Sequence, residues 1–197
     1  RKKLFISEAI VFQHHKRFKK LISLLDFNRF ININSKFHIP KLEKINFRNS
    51  KSLGGGCFQD MSSYAAYIIY LIFGNQKYKI KRLDNGNNFD NFSILVKSKN
   101  RRMKSSFKFN SNYKNQITIK NNLKTYSINF AFSPPINKEV SLGIFDDFKK
   151  KEYKLYFKKQ NTFDIYFSEV LKLIKNREYN YFYNEIEKRA KIKKEIS

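Results

Sequence analysis

Cysteine is nearly absent from this sequence: Cys57 is the only one among 197 residues. A single thiol cannot build a disulfide framework or a cysteine-based zinc site within one chain. The histidines are His14, His15 and His38, and none has the cysteine or carboxylate spacing of a metal site. Disulfide-stapled scaffolds and zinc fingers are therefore excluded, and we expect no metal.

Long hydrophobic runs are also missing. The longest candidate covers residues 64–73, which is far short of the roughly 18 apolar residues that a membrane-spanning helix needs. The first residues lack the apolar core and small-residue cleavage site of a signal peptide. We therefore expect a cytoplasmic protein with no membrane partner.

Acidic residues are scarce: the chain has 16 Asp and Glu residues but 41 Lys and Arg residues, which gives a formal charge of +25. Such a surplus by itself points to nucleic acid or an anionic membrane. It is mostly lysine, however, and accompanies heavy use of Asn, Ile, Phe and Tyr, whose codons are rich in A and T. The basic residues are spread along the chain, with short clusters at 16–20, 99–104 and 149–151. We therefore expect a solvated basic surface, and nucleic-acid binding is not expected.

Apolar residues make up 41% of the chain and aromatic residues 17%, which is ample material for a core. The length fits one domain over residues 1–197. Helical spacing of apolar residues predicts helices at 16–25, 58–73, 162–175 and 178–196. Strand-like runs lie at 4–12, 30–39, 92–96, 104–109, 116–119 and 126–132, the last with strict alternation of Tyr126, Ile128, Phe130 and Phe132. Sequential strands with short spacers indicate an α+β fold with an open, largely antiparallel sheet and helices packed on one face.

The only glycine cluster, Gly54, Gly55 and Gly56, directly precedes the predicted helix at 58–73. Removing three side chains permits close approach of a flat ligand, and a helix N-terminus then offers free N–H groups. Asp60 and Tyr64 are four residues apart, so they share one helix face. Tyr64 could donate a proton to a carbonyl if nearby positive charge, of which Arg48 is the obvious source, lowered its pKa. The alternative is a flexible link, a capping Asp60 and one more core tyrosine.

The segment NFRNSKSLGGGCFQDMSSYAAYIIYLIFG resembles a signature of the Gfo/Idh/MocA oxidoreductase family. In that signature, N-F-R, Leu-Gly-Gly-Gly, an Asp, and a Tyr or His four residues later precede a hydrophobic helix ending in Phe-Gly. Three further segments, SEAIVFQHHKRFKKLISLL, YSINFAFSPPINKEVSLGI and KKQNTFDIYFSEVLKLIKN, are similar to other parts of the same family. The resemblance extends over nearly the whole chain.

The resemblance implies the C-terminal, substrate-binding and oligomerisation domain of a longer parent whose N-terminal Rossmann domain lies outside this sequence. It places the catalytic roles on Asp60 and Tyr64 and substrate contacts on Arg48 and His15. Lys16 stands where the family commonly has proline after that histidine. Gly54, Gly55 and Gly56 would contribute at most backbone approach to the cofactor. NAD or NADP would be bound mainly by the absent domain, which also carries the family's Glu-Lys-Pro lysine.

The expected parent is an NAD(P)-dependent dehydrogenase or reductase acting on a sugar, polyol or nucleotide sugar, and the isolated chain is expected to be inactive. The resemblance also implies a homo-oligomer formed through the open sheet face, which we expect to be apolar. The alternative is a non-catalytic remnant or interaction module that binds an anionic polymer or a partner protein through its basic surface.

Overall fold

The computed structural model describes residues 4–43, 45–84 and 89–197. The strands are β1 (Ile31–His38), β2 (Lys79–Arg82), β3 (Asn91–Lys97), β4 (Arg101–Lys108), β5 (Lys114–Asn121), β6 (Lys124–Asn129), β7 (Val140–Asp146) and β8 (Lys151–Phe157). The α-helices are α1 (Lys16–Ser23), α2 (Cys57–Phe73), α3 (Thr162–Lys175) and α4 (Tyr183–Ile196). Short 3₁₀ helices lie at Val11–His14, Phe47–Asn49 and Lys51–Leu53.

The strands form one open sheet in the order β2-β3-β4-β1-β5-β6-β7-β8. Every neighbouring pair is antiparallel except β1 with β4, which is parallel. The parallel pair arises because the chain leaves β1, passes through α2 and returns by way of β2 and β3. The prediction of an α+β fold with a largely antiparallel open sheet is confirmed.

Alternation along the strands determines which face of the sheet is buried. In β1, Ile31, Ile33 and Phe37 lie in the core, while Asn32 and Asn34 are exposed on the opposite face. The same two-residue period holds in β3, β4 and β5. The hydrophobic core therefore lies on one face of the sheet, and on these four strands the other face is mostly polar.

Helix α2 is the central element of the core. It is apolar on nearly all sides, with Met61, Ala65, Ile69 and Phe73 almost fully buried. It packs on β3, β4 and α4, and the chain leaves it at Gly74, whose φ of 55° few residues other than glycine adopt readily. The helix begins at the loop that contains the predicted site residues.

The prediction of a strand at residues 4–12 is wrong. Residues 4–10 form no regular structure, and Val11–His14 form a 3₁₀ helix. A strand needs a neighbour with which to exchange hydrogen bonds, and none of the eight strands pairs with this segment. Leu4 and Ile6 are 63% and 56% exposed, so apolar side chains of this segment face solvent.

The strand predicted at 126–132 ends early, at Asn129. Tyr126 and Ile128 are buried as the alternation predicts, but Phe130 has a φ of 50° and is 45% exposed. That left-handed conformation ends the strand, and the next two side chains, Ala131 and Phe132, are both buried. The Phe130 carbonyl then accepts a hydrogen bond of 2.9 Å from the buried Arg17 guanidinium.

The bounds predicted for α3 are confirmed, but its apolar face is not covered. Tyr166 and Leu173 are buried, whereas Phe163, Phe167 and Leu171 are 49%, 53% and 65% exposed. The helix packs on the 3₁₀ helix at Val11–His14. We call the three exposed side chains, at i, i+4 and i+8, the α3 stripe.

We expected the open face of the sheet to be apolar, but on β1 and β4 it is polar. On β1 and β4 it carries Asn32, Lys36, Arg102 and Lys104, and the register places them side by side. Apolar residues of these strands point to the core instead. The structure therefore gives no apolar surface on these strands through which a second copy could pair.

Candidate active site

The loop before α2 folds back on its own backbone. At Gly55, a β-carbon would come within 2.6 Å of the carbonyl oxygens of Arg48 and Ser50, so only glycine fits there. Gly54 and Gly56 have φ angles of 74° and 109°, which glycine tolerates far better than other residues. The glycine cluster therefore provides a tight turn that brings Arg48 close to the start of α2.

The glycine N–H groups are all used inside this loop. Gly54 donates to Lys51, Gly55 to Ser50 and Gly56 to Arg48, at 3.2, 2.8 and 2.9 Å between nitrogen and oxygen. We predicted that a flat ligand could lie close to the glycine backbone. In the structure the carbonyl oxygens of the loop itself occupy that space. The reading of these glycines as a contact surface for a cofactor is therefore not supported, and their role is to shape the turn.

Arg48 pairs with Asp60, a contact that the sequence analysis did not predict. Arg48 Nε lies 2.9 Å from Asp60 Oδ1, with the two side chains 35% and 23% exposed. The Arg48 guanidinium also lies over the Phe47 ring, 4.7 Å from its centroid. Asp60 is in the first turn of α2, where the helix dipole favours a carboxylate. One carboxylate oxygen is thus fixed by arginine on a partly open surface.

Tyr64 stands one turn further along α2 and is half-buried among aromatic rings. The centroids of Phe12, Phe37 and Phe132 lie 5.9, 5.5 and 5.4 Å from that of Tyr64. Such packing holds the phenol in one orientation.

The environment keeps Tyr64 protonated. Burial raises the pKa of its phenol above the usual value, and the negative charge of Asp60 raises it further. Arg48 acts in the direction that we expected, but its effect on this pKa is smaller than those of burial and Asp60. The positive charge of Arg48 therefore does not lower the pKa of Tyr64 below its usual value in this chain. At neutral pH the phenol is protonated, so it can donate a proton and cannot act as a base.

His15, the fourth predicted site residue, does not join this group. Its Nδ1 accepts the backbone N–H of Arg17 at 3.0 Å, so it caps the N-terminus of α1. It is 2% exposed, and burial, assisted by Arg17, lowers its pKa to about 4. Among the described residues no hydrogen bond or ion pair joins His15 to Arg48, Asp60 or Tyr64.

Two other candidate chemistries find no site. Cys57 is fully buried, and burial raises the pKa of its thiol to about 12, so it is an inert part of the core. Within the ranges described, no three His, Cys, Asp or Glu side chains are grouped as a metal would need. No helix in those ranges has the length and apolar character to cross a bilayer.

Sequence reasoning missed the residues that hold the site from outside α2. Phe12, Phe37 and Phe132 come from three distant parts of the chain, and nothing local marks them as neighbours of Tyr64. His14 was also missed as an anchor: its Nδ1 lies 2.8 Å from Glu169 Oε2, which fastens α3 to the segment before α1. Only their aromatic or polar character was visible in the sequence.

Arg48 and Asp60 are partly exposed, and Tyr64 is half-buried behind them. A cavity of about 650 Å³ lies elsewhere, on the open face of the sheet beside β6, β7 and β8, and none of the three residues lines it. The fixed carboxylate of Asp60 can accept hydrogen bonds from substrate hydroxyls. The neutral phenol of Tyr64 can donate a proton to a carbonyl oxygen. The described residues offer no glycine-rich turn with free N–H groups, so they do not fit the diphosphate of a dinucleotide.

No protein-family model matches the chain, and no curated protein sequence matches it significantly. Solved structures do match. KijD10, a 3-ketoreductase from Actinomadura kijaniata in complex with NADP and TDP-benzene, superposes with a TM-score of 0.80 over 95% of this chain at 16% identity. UDP-N-acetylglucosamine 3-dehydrogenase GnnA from Acidithiobacillus ferrooxidans superposes with a TM-score of 0.66 over 88% at 11% identity.

The chain spans 59% of the length of the KijD10 chain and 54% of the GnnA chain. At these identities the likeness establishes a shared fold. This chain has the same fold as one part of each of these two proteins, a ketoreductase and a nucleotide-sugar dehydrogenase.

Proposed function

We propose that this chain is the substrate-binding half of an NAD(P)-dependent oxidoreductase that transfers a hydride between nicotinamide and a sugar, polyol or nucleotide sugar. The observation that carries the proposal is the fixed Asp60 carboxylate beside the protonated Tyr64 at the start of α2. The fold shared with two sugar-type oxidoreductases supports it.

Each residue has a distinct task in this proposal. Asp60, held by Arg48, accepts hydrogen bonds from substrate hydroxyls and so orients the ring. Tyr64, whose raised pKa keeps the phenol protonated at neutral pH, donates its proton to the carbonyl oxygen during reduction. Arg48 keeps one Asp60 oxygen occupied, so the other remains for the substrate.

The nicotinamide cofactor supplies the hydride when bound, and the described residues of this chain do not form its site. We propose that a separate nucleotide-binding part of the parent protein holds it, which is consistent with the 59% coverage of KijD10. The α3 stripe and the neighbouring apolar residues Leu4 and Ile6 are exposed and uncovered. They are the surface on which we place that part.

The test is hydride transfer by the full-length parent with a panel of sugars and nucleotide sugars, followed by nicotinamide absorbance. Tyr64→Phe and Asp60→Asn should each lower kcat/KM by about 100-fold or more, as the loss of a general acid or an orienting group does. The matched control is Tyr70→Phe, on the same helix but facing Glu185 and Arg189, which should stay within about twofold.

Thermal unfolding of each variant separates catalysis from folding. If Tyr64→Phe and Asp60→Asn keep both the wild-type melting temperature and full activity, the proposed roles are refuted. If the parent shows no transfer with any sugar or polyol, the proposed activity itself is refuted.

A further inference from the structure

The open face of β2, β3, β4, β1 and β5 concentrates positive charge that is dispersed along the sequence. The register brings to this face every second residue of each strand. Its basic members are Lys36, Lys79, Lys81, Lys97, Arg102, Lys104, Lys108, Lys114 and Lys120. These five strands, all described in full, contain no Asp or Glu. We call this surface the basic face.

The charges on the basic face are poorly compensated. Lys79 lies directly opposite Lys97, and Lys97 opposite Arg102, an arrangement that destabilises a sheet. Among ion pairs between described residues, the basic face takes part in one, from Lys120 Nζ to Asp147 Oδ2 at 3.1 Å. A surface that is merely solvated would interleave carboxylates with these cations. The arrangement leaves an excess that an external anion can neutralise.

Burial and the positive charge of the basic face lower the pKa of His38, which lies within that face. It lies between Lys108 and Lys114 in the register, and its Nε2 is 3.1 Å from Ser106 Oγ. Its pKa is lowered to about 4, mainly by burial and then by Lys108, Lys114 and Lys36. Three lysines on three different strands therefore act on one imidazole.

We propose that the basic face binds the phosphate backbone of double-stranded nucleic acid without reading its base sequence. The eight-residue strands make the face about 26 Å long, and a duplex along that length carries on the order of 15 phosphate charges. Between the cations, the neutral polar members are Asn32, Asn34, Asn91, Ser93, Ser106, Gln116 and Thr118. Such side chains donate hydrogen bonds to phosphate oxygens.

Other occupants fit the face less well. The outward positions of the five strands carry no Phe, Tyr or Trp ring on which the bases of a single strand could stack. Leu95 is their single aliphatic side chain, so there is little to anchor the face in a lipid surface. A second copy of this chain would bring the same cations together. None of the helices in the described ranges packs on these outward positions or extends from them into a groove, which accounts for binding without sequence selectivity.

The test uses the 197-residue chain and a fluorescent 30-base-pair duplex over a range of salt concentrations. The triple variant Lys97→Glu, Arg102→Glu, Lys104→Glu should weaken binding about 100-fold. The slope of log K against the logarithm of the salt concentration should become less steep by about three. The matched control, Lys20→Glu, Lys172→Glu, Lys188→Glu, changes the net charge equally on exposed positions of α1, α3 and α4. It should weaken binding by less than about threefold.

Several results would overturn the proposal. They are an equal loss in the control variant, affinity independent of salt, tighter binding to a single strand of the same length, and tighter binding to phosphatidylserine vesicles than to duplex. As an independent readout, NMR titration should show the pKa of His38 rising when duplex is bound while that of His15 stays constant. A His38 pKa that does not move would place the nucleic acid elsewhere.

Discussion

The candidate active site and the basic face use charged side chains in opposite ways. At the site, Arg48 and Asp60 neutralise each other, and the neighbouring Tyr64 is held by three aromatic rings. On the basic face, Lys97 and Arg102 stand opposite each other with no carboxylate within 4 Å in the described structure. Pairing fixes geometry, whereas uncompensated charge creates a field that acts at a distance.

The comparison shows how one sheet supports two kinds of surface. The site is built on the buried face, where a displaced ring would disturb many contacts, so its geometry is tied to the stability of the fold. The basic face carries side chains that contact solvent, so its charge can change with little effect on folding. Substitutions on the two faces should therefore differ sharply in their effect on stability.

Phe132→Ala should give the largest loss of stability. Phe132 is 1% exposed and contacts the rings of Phe12, Phe37 and Tyr64. Removing a buried phenylalanine side chain lowers the free energy of unfolding by about 3–5 kcal/mol. Urea unfolding measures this, with Asn34→Ala on the open face as the control, expected within about 0.5 kcal/mol of wild type. Equal effects at the two positions would contradict the division between the faces.

The sequence predicted best what local patterns determine. The bounds of α3 and the main parts of α1, α2 and β1 follow from the spacing of their apolar residues. The placement of Asp60 and Tyr64 on one face of α2 also followed, because they are four residues apart in one helix. These features depend on residues close together in the chain.

The features that failed depend on distant neighbours. Residues 4–12 have strand composition, but without a partner strand residues 4–10 stay irregular and a 3₁₀ helix begins at Val11. The basic face could not be recognised, because its lysines come from five strands and only the register shows that they share a face. The raised pKa of Tyr64 likewise results from burial by Phe12, Phe37 and Phe132, which lie in three separate segments.

Acid should destabilise the chain through two buried histidines, His15 at the start of α1 and His38 on the basic face. The pKa values of His15 and His38 are lowered to about 4 in the folded state, so between pH 6.5 and 4 the unfolded chain binds more protons. Stability is therefore complete above pH 6.5 and falls as the pH drops toward 4, by up to about 3 kcal/mol per histidine. Urea unfolding from pH 7 to 4 measures the loss.

Variants and salt separate the two histidines. His15→Asn keeps an α1 cap and should remove its share of the acid sensitivity, and His38→Gln should do the same on the basic face. Burial is the largest cause of both lowered pKa values, but three lysines also lower that of His38, whereas Arg17 alone acts on His15. Added salt should therefore raise the pKa of His38 more than that of His15. An identical salt response would contradict the field of the basic face at His38.

Gly55→Ala should have a smaller effect, confined to the site. The added methyl group would meet the carbonyl oxygens of Arg48 and Ser50 at 2.6 Å, so the loop must open. We expect a loss of about 1–3 kcal/mol in the free energy of unfolding. Since the Arg48–Asp60 pair depends on this turn, the activity of the full-length parent should fall as well. The paired control is Gly54→Ala, where a methyl group meets no atom within 4 Å and only the positive φ opposes it.

Lys97→Gln should give the smallest change and the opposite sign. Lys97 stands directly opposite both Lys79 and Arg102, and removing the charge relieves two repulsions. The free energy of unfolding should rise by about 0.2–1 kcal/mol at low salt, and the gain should shrink as added salt screens the charges. Arg48→Gln, which breaks a pair at the site, should instead lower stability. A loss of stability in Lys97→Gln at low salt would mean that the aliphatic stem of this lysine, and not its charge, determines its contribution to the sheet.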